Sequence, residues 1–159
     1  MVSTTIDKTS DRRAAAQHAL SEHLRLVSSG RIEEWLDLFA PDAVLEFPYA
    51  PAGVPTRVQG REALMNHMTH FPDTFDVRFV DLVFHKTADP SMVIAEFASV
   101  GHAVPTGKPY EQQCICVVYT DDDSRITRFV DFWNPLVAIE ALSPSAGPDA
   151  TNVADSFKN

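Results

Sequence analysis

Arg128-Phe129-Val130-Asp131-Phe132-Trp133-Asn134-Pro135 is the stretch from which the rest of the chain can be read. It reads as a strand that runs into a helix start. Side chains alternate along a strand, so Phe129, Asp131 and Trp133 share one face and Arg128, Val130 and Phe132 the other. Asn134 then Pro135 is a cap followed by proline at the first helical position. A carboxylate flanked at i−2 and i+2 by large aromatics is costly to ionise on a buried face. Desolvation would raise its pKa and make it a usable acid or base. The alternative is an Asp that caps a neighbouring helix or accepts backbone N–H groups.

Working outward, residues 74–85, 92–104, 110–120 and 125–133 alternate as four long strands. The connections 86–91, 105–109 and 121–124 are short enough for hairpins. Residues 136–142 give a short terminal helix. The first half has a helical period instead. Ser10 can cap a helix to about Ser29 with Ala16, Leu20, Leu24 and Val27 as its stripe, ended by Gly30. Ile32, Trp35, Leu36 and Phe39 mark a second helix, Ala40-Pro41-Asp42 a turn, and 43–47 a short strand. The proline-rich loop 48–55 carries Tyr49. Arg57-Val58-Gln59 adds a brief strand, and a third helix over 61–70 presents Leu64, His67, Met68 and Phe71. Helices followed by an antiparallel meander predict an α+β fold with helices on one face of a curved sheet. The expected organisation is a loose arm over 1–9, a single domain over 10–142 and a mobile tail over 143–159.

Hairpin register extends the face of Asp131 across the sheet. Pairing Thr120 with Arg125 sets Cys114 opposite Asp131, Cys116 opposite Phe129 and Gln112 opposite Trp133. Pairing Val104 with Tyr110 brings in His102 and Val100. Pairing His85 with Met92 adds Phe75, Val77 and Phe79. The resulting wall is apolar, with Asp131, Gln112 and His102 as its polar groups, which suits a small-molecule pocket. The same register opposes Asp81 to Glu96, so either that end of the sheet is open to water or a bulge shifts the parity. The other face, with Val93, Phe97, Ile115 and Val117, predicts a two-fold homodimer through the sheet.

The 159 residues carry a net charge of −9 without a Lys/Arg cluster, which argues against nucleic acid and anionic membrane as partners. With no long apolar span and no signal-peptide core, the expected location is cytoplasmic. Cys114 and Cys116, two apart, read as small buried hydrophobes rather than a disulfide or zinc site.

Three groups of residues resemble a known superfamily: Leu38-Phe39-Ala40-Pro41-Asp42-Ala43-Val44, then Gly60-Arg61-Glu62-Ala63-Leu64, then the four strands. The likeness is to the nuclear-transport-factor-2-like, or SnoaL-like, superfamily. It implies a cone, in which a curved sheet wraps around N-terminal helices and a deep apolar pocket. That superfamily includes ketosteroid isomerases, scytalone dehydratase, limonene epoxide hydrolase, polyketide cyclases and non-catalytic binding modules. Within it, the stretches 60–67, 71–73 and 130–134, with a last helix ending in Ala141-Leu142, are most similar to the phenazine-biosynthesis A/B proteins. There, a helix histidine and a carboxylate on the last strand handle proton transfer. The resemblance puts His67 and Asp131 in those two places, with an Asp one methylene shorter than the family's Glu. The ketosteroid isomerase base would fall at Phe47, which cannot abstract a proton.

The expectation is therefore a small enzyme using cofactor-free acid/base chemistry on an aromatic or polycyclic metabolite. Asp131 would give or take the proton and His67 would orient the substrate or shuttle the proton. Trp35, Phe47, Tyr49, Phe79, His102, Gln112, Cys114, Phe129 and Trp133 would form the substrate wall. The competing expectation is a binding module of the same fold without catalysis.

Overall fold

A computed structural model of the protein describes the backbone of residues 2–144 and the side chains of 8–144. The first helix, α1, spans Val2–Ser28. It buries Ala16, Leu20, Leu24 and Val27, with His23 between them. Ser10 lies inside this helix and caps nothing, and residues 2–9, expected as an arm, belong to it. Gly30, at φ +72, closes its end, where Gly30 N donates to Val27 O and Arg31 N to Leu26 O. The expected tail from 145 onward lies outside the described residues.

Helix α2 (Ile32–Leu36) buries Ile32 and Trp35. Strand β1 spans Phe39–Glu46 and so includes both Phe39, expected on a helix face, and the expected turn at Ala40-Pro41-Asp42. Its register against the neighbouring strand breaks between Phe39 and Val44. Proline, which cannot donate to a ladder, sits in that interruption. Strand β2 is Arg57–Gln59, α3 is Arg61–Met68, and α4 is the single turn Phe71–Thr74. Strands β3 (Phe75–His85), β4 (Met92–Ala103), β5 (Gln112–Thr120) and β6 (Ile126–Phe132) form the meander, and α5 (Pro135–Leu142) follows. The Asn134 side chain accepts from Leu136 N at 3.0 Å, with Pro135 behind it, as the sequence predicts.

The six strands form one curled, unclosed sheet in the order β2-β1-β6-β5-β4-β3. The fold is α+β, but the sheet is mixed rather than wholly antiparallel, because β1 runs parallel to β6. Hairpin reasoning reaches only neighbours in sequence; this pairing joins residues some 80 apart. On the outer face the Arg128 guanidinium holds Glu46 at 2.9 Å and fastens it.

All three hairpin registers differ from expectation, and on β3–β4 His85 opposes Ile94 rather than Met92. Between β5 and β6 an irregularity at Tyr119/Thr120 slips the pairing by two, so Cys116, not Cys114, opposes Asp131. An even slip leaves every side chain on its expected face. Between β4 and β5 the slip is odd: Ser99 opposes Gln112 and Phe97 opposes Cys114. The faces of β4 are therefore exchanged. Val93 and Phe97, expected outside, are buried, and His102 points outward. On β3, a bulge between Val80 and Val83 takes Asp81 out of line at φ +57. Glu96 then faces Val83 and meets His85 Nε2 at 2.5 Å, which removes the expected Asp81–Glu96 conflict.

Candidate functional site

The inner face of the sheet and the helices it covers leave a cavity of about 450 Å³. Its far wall comes from α1 and α2, through His23, Leu24, Val27 and Trp35. Strand and loop residues Leu45, Phe47, Pro51 and Val54 form one side, α3 contributes His67 and Met68, and α5 covers part of it with Ala138, Ile139 and Leu142. Among the described residues, no lining side chain is Lys or Arg. No group of three or more His, Cys, Asp or Glu is placed to hold a metal ion among them.

Asp131 projects from β6 into this space. Its carboxyl keeps some surface on the cavity, yet no donor or cation meets it among the described residues. Loss of water pushes its pKa up from 3.8 to about 7. Asp131 in turn helps to raise its neighbours: Cys114 is pushed up to about 12 by burial and then by this charge. Cys116 and the Tyr110 phenol are raised for the same two leading reasons of burial and nearby anions. Both cysteines are free and buried, as expected.

His67 stacks on Phe47 at 5.0 Å between ring centroids, and Phe47 meets Trp133 edge-on at 6.4 Å. Burial pulls the imidazole of His67 below its ordinary range. His67 and Asp131 line one cavity, with burial lowering the pKa of the imidazole and raising that of the carboxyl to about 7.

Of the expected wall, Trp35, Phe47, Phe79, Gln112, Cys114, Phe129 and Trp133 line the cavity. Gln112 does so with its amide already committed: Oε1 accepts from Asn134 N at 2.6 Å and Nε2 donates to the Tyr110 hydroxyl at 2.8 Å. Two expected residues lie elsewhere. Tyr49 is 59% exposed and packs on Phe132 at 5.6 Å on the outer side, because the chain turns after Phe47. It lines a shallow outer cleft with Glu96 and Asn134. His102 is exposed on β4, opposite Asp76, through the odd register slip.

The sequence reading missed His23, Ser99 and Tyr110. His23 is 8% exposed, accepts from Trp35 Nε1 at Nδ1 (2.8 Å), and lies 4.4 Å from the Phe129 ring. Its place three residues after Leu20 on the α1 stripe was the available signal. Ser99 and Tyr110 follow from the true β4 register, with Ser99 Oγ donating to Tyr110 O at 3.4 Å.

A curled, unclosed sheet wrapped over helices around a deep, sparsely polar cavity is the cone-shaped α+β architecture. Residues 20–129 match the SnoaL-like domain, and the chain belongs to that family. It is 46% identical over 127 residues to an uncharacterized PhzA/B-like protein of Pseudomonas aeruginosa, covering 80% of this chain and 89% of that one. A crystal structure from Bacillus subtilis, described as a candidate isomerase, superposes with a TM-score of 0.80 at 36% identity, covering 86% of this chain and 99% of that one. RV0760c of Mycobacterium tuberculosis, solved in complex with estradiol-17β-hemisuccinate, matches with a TM-score of 0.64 at 20% identity, over 76% and 94% of the two chains. That last likeness is one of fold.

Proposed function

We propose that the protein is a small enzyme that performs cofactor-free acid/base chemistry, of isomerase, cyclase, dehydratase or condensation type, on an aromatic or polycyclic metabolite. Asp131 gives or takes the proton, and His67 orients the substrate or relays the proton. One observation carries this reading: a carboxyl without a donor among the described residues, on a largely apolar cavity wall, with its pKa lifted to about 7. A group poised there exchanges protons at neutral pH with little cost in either direction. The size and apolar lining of the cavity suit a ring system. Asp131→Asn keeps the shape and removes the titration. The expected result is a loss of roughly 10²–10⁴ in turnover with binding little changed, and a smaller loss for His67→Gln. Full turnover in Asp131→Asn would refute the assignment.

The second reading is a binding module without catalysis. It is favoured by the steroid complex of RV0760c, a protein of the same fold. Ligand binding by the wild type without turnover, across a broad screen of aromatic carbonyls and amines, would select it. For either reading we propose a two-fold dimer through the outer face of the sheet. The exchanged faces of β4 change its members: Ile94, Ile115 and Val117 point outward, with Val83 beside them.

A further inference from the structure

We propose that His23 is a ligand-binding residue, whose Nε2–H donates to an oxygen of the bound molecule, and that the cavity selects uncharged ligands with such an acceptor over carboxylates. This rests on the reading of the cavity as a small-molecule site, and not on catalysis there.

The tautomer follows from one hydrogen bond. An indole N–H only donates. Trp35 Nε1 lies 2.8 Å from His23 Nδ1, so Nδ1 offers a lone pair. The proton of the neutral ring is then on Nε2. An imidazolium would set two N–H groups against each other, and burial already opposes the charge, pulling the pKa down to about 3. His23 is a fixed, neutral donor.

Its Nε2 has no protein partner among the described residues. Nor is it sealed: there, Arg13 Nε is the side-chain nitrogen or oxygen both shut off from solvent and unpaired. His23 is 8% exposed and lines the cavity, so the cavity is where an acceptor can reach this N–H. A donor held in an apolar wall without a partner is costly unless the occupant supplies an acceptor.

The spacing suits a ring system. His23 lies against Phe129. Phe129 and Asp131 are two residues apart on one strand face, about 7 Å. Both His23 and Asp131 stand on the wall of a cavity of about 450 Å³, which has room for two or three fused rings. With no cation on the described lining, a carboxylate ligand would be desolvated near Asp131 without a counter-charge. An uncharged carbonyl compound meets no such penalty. If its oxygen gains negative charge during proton transfer, the fixed donor stabilises that charge without reorganising.

Three probes that share a ring system test this with the full-length protein at pH 8: 2-acetylphenanthrene, 2-ethylphenanthrene and phenanthrene-2-carboxylate. Wild type should bind the acetyl compound roughly three- to tenfold more tightly than the ethyl compound, and the carboxylate most weakly. In His23→Phe the acetyl-to-ethyl ratio should fall to about one. A ratio that survives in His23→Phe, a carboxylate that binds best, or no binding of the acetyl probe at millimolar concentration overturns the proposal. His23→Phe also strips Trp35 of its acceptor, so a reading on wild type stands beside it. The ¹⁵N shifts of His23 should show a bare Nδ1 and a protonated Nε2, unchanged from pH 5 to 8. A proton on Nδ1 in that range overturns the proposal. Binding governed by His23 in a protein that turns nothing over removes the acid/base reading and leaves this one standing.

Discussion

Cys116 lies directly opposite Asp131 across the β5–β6 ladder. A thiol is a weak donor and carries no charge there, and among the described residues no donor or cation meets the Asp131 anion. This gives a stability prediction with a definite sign. Asp131 is raised from 3.8 to about 7 in the folded protein, so the fold holds its proton more tightly than the unfolded chain does. The contribution is complete below about pH 4 and is lost as pH rises to about 7. At about 1.36 kcal/mol per unit, the loss is at most on the order of 4 kcal/mol, less because the carboxyl keeps contact with the cavity. Asp131→Asn should therefore raise Tm by several degrees at pH 8 and change it little at pH 4. Calorimetry at the two pH values checks this. A lower Tm at pH 8 would mean that the carboxylate has a partner.

The same carboxyl should govern the pH profile of activity. In the free protein, kcat/KM should bend at about pH 7, the value to which Asp131 is raised. A rise with pH identifies it as a base, a fall as an acid. His67, pulled below its ordinary range by burial, adds a second limb on the acid side. In Asp131→Asn the bend near 7 should vanish. A wild-type profile that stays flat from pH 5 to 9 would exclude Asp131 from the proton transfer.

Gly101 on β4 pairs with Val77 of β3 at a close approach of backbones. A Cβ there would lie 2.0 Å from Asp76 O and 2.8 Å from Val77 Cα. Neither atom can rotate away, so β3 must move and take Val77, and with it Phe75, out of place. Gly101→Ala should cost about 3 kcal/mol or more and lower Tm by roughly 6–12 °C. An unchanged Tm would show that the two strands separate freely.

How far the sequence could be read depended on whether a feature was local. The alternation around Asp131, the Asn134-Pro135 cap and the stripe of α1 are each set by a few adjacent residues, and each stands in the structure. Gln112 and Cys114 share the cavity wall with Asp131 because an even slip at the β5–β6 turn preserves parity. His102 and Val93 were misplaced by an odd slip whose cause is the geometry of the 103–110 connection, where His102 bridges Pro109. No residue type in that turn announces it. The parallel β1–β6 pairing, and the bond between Trp35 and His23 that fixes a tautomer, join residues distant along the chain. Periodicity carries no information about either.

Assembly gives a further test. Ile115 is 39% exposed and Val83 51%, on either side of Glu96, whose charge His85 meets. Covering this outer face removes apolar area from water at about 25 cal/mol per Å². Wild type should scatter light as a dimer at micromolar concentration, and Ile115→Lys as a monomer with an intact fold. A monomeric wild type would sink the dimer.

Gln112 offers the last prediction, because its amide links three elements. Oε1 accepts from Asn134 N at the start of α5, and Nε2 donates to Tyr110 just before β5. Helix α5 places Ala138, Ile139 and Leu142 over the cavity. A side chain with both ends engaged holds that cover down rather than reading a ligand. Gln112→Leu leaves Asn134 N and the Tyr110 hydroxyl without these partners, at roughly 1–3 kcal/mol for each group that stays buried. Gln112→Glu keeps the acceptor for Asn134 and loses the donor to Tyr110. Amide exchange over residues 135–142 should therefore speed up strongly in Gln112→Leu and less in Gln112→Glu. Probe affinity should fall in the same order, since a loosened α5 uncovers the apolar wall. Unchanged exchange in α5 with a loss of affinity in both variants would make Gln112 a direct ligand contact instead.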